Sequence, residues 1–173
     1  MTKSNLKEKE ENTTKTTGLY ITKIKFKENK AVINYRDEQD LSLKKGTYTG
    51  KDEVTEEFKN LFQNAVDTFV ELLPDLRKSK SQIKMNALRF DYDKQGFLEK
   101  VLFSTVWTFN SQGNVINLDT PQFPIYKPEM SETTVAISGK DEELMHSIID
   151  KAKAYMNGDI RTKQMSLIVD NTK

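Results

Sequence analysis

Cysteine is absent from this chain of 173 residues, so disulfide bonds, thiolate nucleophiles and cysteine-ligated zinc are all excluded. The single histidine, His146, cannot by itself build the common metal or nucleophile sites. The seven glycines form no glycine-rich phosphate loop. With these arrangements excluded, the sequence predicts a protein that is not an enzyme and that uses no metal and no cofactor.

A strong net charge is also absent, because 27 Lys plus Arg residues are balanced by 26 Asp plus Glu residues. No global field therefore steers the chain toward nucleic acid or acidic membranes, and any such binding must be local. No apolar run approaches the length of a membrane span, and the N-terminal residues lack the apolar core of a signal peptide. We expect a cytoplasmic protein of bacterial or viral origin that does not associate with membranes.

The distribution of apolar residues predicts three segments along the chain. Residues 1–17 contain one large apolar residue, Leu6, and are expected to form a disordered leader. Residues 18–157 show the periodic patterns of a single globular domain. Residues 158–173 are expected to form a flexible C-terminal tail, because they follow the end of the last predicted helix.

Alternating and continuous apolar runs predict several β-strands. The stretch LYITKIKFKENKAVINY predicts a hairpin that turns at KENK, and LSLKKGTYTG is expected to add a short third strand or a loop. The runs QIKMNALRFDYD and FLEKVLFSTVWTF, joined by KQG, predict a second hairpin whose second strand is central in its sheet. In VINLDTPQFPIY, Pro121 and Pro124 limit any strand to the first half of the run or to a sheet edge.

Two amphipathic patterns predict helices. From residue 53 to residue 78, apolar side chains recur every three or four positions, which predicts about seven helical turns with a kink or an end at Pro74. A last helix is expected to begin near Ser138 or Asp141 and to end at Asn157–Gly158, since both of these residues tolerate a left-handed cap.

Together the patterns predict an α+β fold, in which a mainly antiparallel sheet of about four to six strands has two helices packed on one face. The first helix and the central strand carry the largest apolar side chains, which should therefore form one core cluster. The members of that predicted cluster are Phe58, Leu61, Phe69, Phe103 and Trp107.

Lys23, Lys25 and Lys27 share one face of the first strand, because side chains alternate along a strand with a period of two. Such a face can run along a single-stranded nucleic acid, with Tyr20 and Tyr35 stacking on bases. The alternative is that these lysines guard the outer face of an edge strand against aggregation, which is the common use of edge lysines. The sequence alone favours the guard over nucleic-acid binding.

Two other polar features have an ordinary explanation. Asp91 and Asp93 lie on one face of a strand and are candidates for holding a hydrated divalent cation, but the following KQG marks a hairpin turn, where aspartate is common. We interpret them as turn residues. His146 lies three residues after Glu143 on the last predicted helix and is interpreted as a satisfied or exposed histidine.

The apolar run near the C-terminus is the most informative motif. The pentapeptide Gln164-Met165-Ser166-Leu167-Ile168 resembles the bacterial sliding-clamp-binding motif, and QMSLI is very close to the form found in mismatch-repair proteins of the MutS family. The resemblance implies docking of an extended peptide on a DNA sliding clamp: Gln164 would enter a polar niche, and Leu167 and Ile168 an apolar pocket. The alternative is that Leu167, Ile168 and Val169 add a final strand to a sheet edge.

The order of larger segments is similar to that of small bacteriophage and prophage early-region proteins. The resemblance rests on ITKIKFKENKAVINY, on STVWTFNSQGNVINLDTP and on KAYMNGDIRTKQMSL. It implies an origin in a mobile element but no particular activity. Together with the tail motif, it leads us to predict a non-enzymatic phage-type accessory protein that docks on the host replication machinery through its tail. The alternatives are a single-stranded nucleic-acid-binding protein that uses Lys23, Lys25 and Lys27, and a phage inhibitor of a host defence system.

Overall fold

The computed structural model describes residues 18–38, 44–109 and 112–169, without the side chains of Lys44 and of residues 159–169. Seven strands, two α-helices and a 3-10 segment make up this part of the chain. In chain order they are β1 (Leu19–Lys27), β2 (Lys30–Asp37), β3 (Lys44–Thr49), α1 (Glu56–Leu72), the 3-10 segment (Pro74–Gln82), β4 (Ile83–Tyr92), β5 (Leu98–Thr108), β6 (Val115–Asp119), β7 (Phe123–Pro124) and α2 (Lys140–Val169).

The strands form one antiparallel sheet in the order β3-β2-β1-β4-β5-β6, and the short β7 pairs with the first half of β5. The predicted α+β class with a mainly antiparallel sheet is confirmed. The first predicted hairpin, β1–β2, is closed by a tight turn. Glu28 and Asn29 both adopt positive φ, 50° and 63°, which matches a two-residue hairpin turn of the primed type. β6 ends at Asp119, just before the prolines that were predicted to limit it.

Both helices pack on the same side of the sheet. Every second side chain of the strands points to that side and forms one core with the apolar side chains of the helices. Ile24, Leu88 and Phe103 are fully buried in a row across the middle of the sheet. Phe69 of α1 and Ile148 of α2 belong to the same cluster. The five predicted core residues all join it, Phe58, Phe69 and Phe103 as buried members and Leu61 and Trp107 as partly buried ones.

Local signals set both ends of α1. The Thr55 hydroxyl accepts a hydrogen bond from the Phe58 N–H at 3.2 Å, and Glu56 and Glu57 lie favourably in the positive end of the helix dipole. The α-helix ends before Pro74, as predicted, and the 3-10 segment follows it. The predicted length of about seven turns is wrong, because α1 has 17 residues and the apolar pattern beyond Pro74 belongs to 3-10 structure.

α1 and α2 run antiparallel. Glu71 near the end of α1 is 3.7 Å from Lys140 at the start of α2, and Glu57 near the start of α1 is 2.7 Å from Lys151 farther along α2. Between these pairs the hydroxyl of the buried Thr68 donates to the Asp141 carboxylate at 2.7 Å. These contacts fix α2 across α1 on the core side of the sheet.

The predicted end of the last helix at Asn157–Gly158 is wrong, because the backbone is helical to Val169. Gly158 is not among the positive-φ glycines, so it forms no left-handed cap. A glycine inside a helix costs only about 1 kcal/mol relative to alanine, which the neighbouring turns can offset. The predicted tail therefore has helical backbone over residues 158–169, while residues 170–173 and the predicted leader 1–17 lie outside the described residues.

Within the described residues, neither helix combines the length and the apolar character that crossing a membrane requires.

Candidate functional site

The sheet has one side that neither helix covers, here called the open face. Its side chains come from the strand positions that alternate with the core. Five cations of two neighbouring strands lie on it and are called the basic patch: Lys23, Lys25 and Lys27 of β1, and Lys84 and Arg89 of β4. All five side chains are exposed except that of Lys23, which is half-buried.

The lysines of β1 do not guard a sheet edge, so the interpretation that the sequence favoured is wrong. β1 pairs with β2 on one side and with β4 on the other. The two edges of the main sheet are β3 and β6. Since β1 is paired on both sides at Lys23–Lys25 and is an inner strand of the sheet, its lysines do not guard an edge strand.

Lys23 and Arg89 are direct cross-strand partners on adjacent antiparallel strands. Side chains in this relation are close neighbours on one face, and like charges in it destabilise the sheet. No acidic residue occurs in β1 to compensate. The next position, Lys25, lies opposite Ala87 on β4 and Val32 on β2, so apolar rather than acidic groups flank it.

The basic patch lacks internal counter-charges. Among the described residues, none of its five cations forms an ion pair. On the other side of the molecule, lysines do have acidic partners: Lys59 is 2.7 Å from Glu56, and Lys80 is 2.6 Å from Asp67. The unpaired cations are therefore a local property of the open face in a chain whose total charge is nearly balanced.

A shallow polar groove continues the open face from the basic patch toward β3. It has a volume of about 480 Å³ and is lined by hydroxyl, amide and cationic side chains, among them Thr22, Asn34, Arg36, Lys45 and Thr47. These groups donate hydrogen bonds or positive charge, as an anionic ligand with many acceptor oxygens requires.

The aromatic residues that were expected beside the lysines are engaged elsewhere. The Tyr20 ring packs edge-on against Tyr92 at 5.1 Å and lies under the Arg36 guanidinium, whose carbon is 5.0 Å from the ring centroid. Tyr35 lies on the core side, where its ring covers Gly46 so closely that a Cβ there would clash. Both tyrosines are half-buried, and with Tyr20 under Arg36 and Tyr35 on the core side they do not form the predicted pair of stacking platforms.

Tyr92 itself is held in an apolar environment beneath Tyr20. Its hydroxyl donates to the Ile21 carbonyl at 2.9 Å. Burial raises the pKa of the Tyr92 hydroxyl well above its usual value, although the nearby Arg36 cation opposes this shift. Tyr92 therefore remains a neutral hydrogen-bond donor that joins β4 to β1.

The remaining candidate residues adopt structural roles. One Asp93 carboxylate oxygen accepts from the backbone N–H groups of Gln95 and Phe97 at 2.9 and 3.0 Å, which confirms that Asp93 is a turn residue. The same interpretation is wrong for Asp91, which lies within β4 opposite Lys100 and accepts a hydrogen bond from the Gln122 side chain. His146 is exposed on α2, 3.8 Å from Glu142. No cluster of at least three His, Asp or Glu side chains suited to a metal ion exists in the described part of the chain.

The motif Gln164–Ile168 lies on the last turns of α2, and its side chains are outside the description. The alternative that Leu167, Ile168 and Val169 form an added strand is wrong, because their backbone is helical.

Sequence reasoning missed two cations of the basic patch, Lys84 and Arg89. Their positions follow from the pairing of β4 with β1, for which no local pattern in the sequence gives a signal.

No protein-family model, no curated protein and no solved structure matches the chain at a significant level.

Proposed function

We propose that the open face binds single-stranded nucleic acid through the phosphates. The observation that supports this most is the direct opposition of Lys23 and Arg89 without an acidic neighbour on β1. Such an arrangement destabilises the free protein, and an anion placed between the two cations would relieve the repulsion. Phosphate contacts of this kind give affinity without sequence preference.

The spacing of the basic patch suits an extended polyanion. Alternate side chains on β1 are about 6.6–6.8 Å apart along the strand, since each residue rises by half of that length. This distance is comparable to the separation of successive phosphates in an extended single strand. The polar groove supplies a further cation, Lys45, next to the patch, whereas Arg36 in the same groove already pairs with Glu38 at 2.9 Å. Because aromatic platforms are missing, the binding energy should come mainly from charge, with a small contribution from base stacking.

The test is binding of a fluorescent single-stranded oligonucleotide, followed by anisotropy at several salt concentrations. If five cations each contact a phosphate, the logarithm of the affinity should fall against the logarithm of salt with a slope of about −3.5. The variant K23Q/K25Q/K27Q should lose most of the affinity and most of the slope. The control K78Q/K94Q/K153Q removes the same charge away from the open face and should bind as the unmodified chain does.

Equal loss of affinity in both triple variants would show that binding depends on the total charge of the chain, and it would refute binding at the open face. Absence of salt-dependent binding in the unmodified chain would refute the proposal altogether. A duplex of the same sequence, run in parallel, tests the preference for single strands.

Docking on a sliding clamp is a second proposal, supported by the pentapeptide QMSLI alone. Clamp-binding peptides are extended, so the last turns of α2 would have to unwind on binding. The end of a helix can do so at small cost, because its last carbonyls have no intrahelical partners. In this interpretation the protein is a phage-type accessory factor that binds single strands where the host replication machinery works. Inhibition of a host defence system stays a prediction from the sequence.

The docking proposal is tested with the full chain and with a peptide of residues 160–173. Both should bind a bacterial sliding clamp with an affinity in the micromolar range, about −8 kcal/mol. The variant Q164A/L167A should lose this binding and keep its melting temperature. No binding to the clamp, together with a lower melting temperature in the variant, would show that the segment serves the fold instead.

A further inference from the structure

β6 is an edge strand that presents a bare backbone to solvent. It pairs with β5 on one side, and among the described residues no strand pairs with it on the other. Four of its five residues are exposed, and the exposed fraction reaches 56% for Val115 and 42% for Ile116. An edge with exposed apolar residues is a template for pairing with another strand.

The two edge strands of the main sheet, β3 and β6, differ in how well they are protected against pairing with a further strand. β3, with the sequence KKGTYT, begins with two lysines and contains a glycine, which are features that discourage strand addition. β6, with the sequence VINLD, contains neither lysine, arginine nor proline. β6 is therefore the less protected edge, with Asp119 as its one charged residue.

The hydrogen-bond alternation determines which backbone groups face the free edge. The Phe109 N–H donates to the Asn114 carbonyl at 3.2 Å, and the Thr120 N–H donates to the Phe103 carbonyl at 3.0 Å. Bonded pairs recur at every second residue, so Ile116 and Leu118 direct their backbone groups toward β5. The N–H and C=O groups of the other three residues, Val115, Asn117 and Asp119, point outward.

We propose that β6 pairs antiparallel with β6 of a second copy of the chain, about a two-fold axis at Asn117. Each Asn117 would then lie opposite its counterpart, and each Val115 opposite an Asp119. All three outward residues on each chain would exchange both of their backbone hydrogen bonds with the partner strand. On the core side of the sheet, Ile116 of one copy would lie beside Leu118 of the other, in the closer type of cross-strand pair.

Exposed apolar side chains next to β6 favour a second copy as the occupant. Ile116 lies opposite Trp107 on β5, and Trp107 packs edge-on against Phe109, whose exposed fraction is 42%. A two-fold axis at Asn117 brings the apolar side chains around Ile116 of one copy next to Leu118 of the other. Since a single five-residue strand pair buries little surface, the dimer should be weak, with a dissociation constant in roughly the micromolar range.

Pairing about a two-fold axis perpendicular to the sheet keeps both open faces on the same side. Two basic patches would then be available to one length of nucleic acid. The dimer does not depend on the proposed nucleic-acid binding, because it rests only on the edge of β6.

The absence of cysteine allows a clean cross-linking test. In the proposed dimer the two Asn117 Cα atoms are about 5.5 Å apart, within the range that a disulfide spans. The variant N117C should therefore form a covalent dimer on mild oxidation. The matched control V115C introduces a cysteine on the same edge, but its two copies would be about 14 Å apart. N117C should cross-link on the order of tenfold faster than V115C.

A charge exchange at the same position tests the pairing without oxidation. N117K and N117D each place like charges opposite each other, which should weaken self-association by about fivefold as measured by analytical ultracentrifugation. An equimolar mixture of the two should restore a dimer that contains one copy of each. Neither variant should change the melting temperature of the dilute monomer, because the outward groups of residue 117 do not bond β5.

Equal cross-linking of N117C and V115C would overturn the two-fold pairing. A chain that stays monomeric at high micromolar concentration would also overturn it. The free edge of β6 would then be a candidate for pairing with an extended peptide of another protein. Nucleic-acid binding by the unmodified chain, measured at concentrations where it is monomeric, distinguishes these outcomes from failure of the proposed function.

Discussion

Lys23 on β1 and Arg89 on β4 face each other directly across the middle of the sheet, with no acidic residue on β1. A chain selected only for stability would place opposite charges at such a pair, since these stabilise a sheet by up to about 1 kcal/mol. Under the proposed function, this unfavourable pair is the place on the open face where stability and binding are opposed.

Replacing Lys23 with glutamate should raise stability and abolish nucleic-acid binding together. The new carboxylate would pair with Arg89, and the free energy of unfolding should rise by about 1 kcal/mol. Urea denaturation measures the gain, and oligonucleotide anisotropy measures the loss. The control K25E, whose neighbour on β4 is Ala87, should weaken binding with a smaller change in stability. A destabilised K23E variant would contradict the repulsion between Lys23 and Arg89.

Tyr92 should make the fold sensitive to alkaline pH. Burial raises the pKa of its hydroxyl in the folded state above the unfolded value of about 10. The stability that this neutral hydroxyl contributes is fully present below about pH 10, and it is lost as pH rises from there through the raised pKa. Denaturation curves between pH 8 and pH 11 should therefore show falling stability.

The variant Y92F provides the control for that pH dependence. It removes the hydroxyl that donates to the Ile21 carbonyl and should cost about 1 kcal/mol at neutral pH. Its stability should then fall less steeply above pH 10 than that of the unmodified chain. Parallel curves for the two proteins would show that Tyr92 ionises normally in the fold.

The hydrogen bond between Thr68 and Asp141 should couple α1 to α2. Thr68 is almost fully buried, and its hydroxyl donates to the carboxylate at 2.7 Å. The change T68V keeps the volume but removes the donor, and it should cost about 1.5–3 kcal/mol. In a double-mutant cycle with D141A the losses should be clearly less than additive. Additive losses would mean that the bond contributes little.

Core substitutions should distinguish Phe103 from Trp107, although both lie on the core face of β5. Phe103 is fully buried beside Phe69 and Phe123, so F103A should cost about 3–5 kcal/mol. Trp107 is partly buried, and its indole N–H donates to the Gln82 side chain at 3.0 Å. W107A should therefore cost less than F103A, and a larger loss for W107A in thermal denaturation would contradict this order.

The features that the sequence predicted correctly have local causes. Thr55, Pro74 and Pro121 act on the backbone within a few residues, so the start of α1, its end and the end of β6 could be predicted from neighbouring positions. The common face of Lys23, Lys25 and Lys27 also follows from a period of two along one strand.

The features that were missed depend on partners far along the chain. Arg89 joins the basic patch only because β4 pairs with β1, and the same pairing removes β1 from the sheet edge. The end of α2 was missed for another reason. Asn157–Gly158 is compatible both with a cap and with a continuing helix, and the turns that follow decide between the two.

The strand order also divides the sheet into two halves of consecutive strands, β3-β2-β1 and β4-β5-β6, which meet only where β1 pairs with β4. Each half is a meander of neighbours in the chain and can form quickly, whereas the junction must close a loop that contains β2, β3 and α1. The junction has three residue pairs in register, and one of them is the repulsive pair of Lys23 and Arg89. We therefore expect the joining of the halves to be the slow step of folding, and neutralisation of that pair by salt to accelerate refolding.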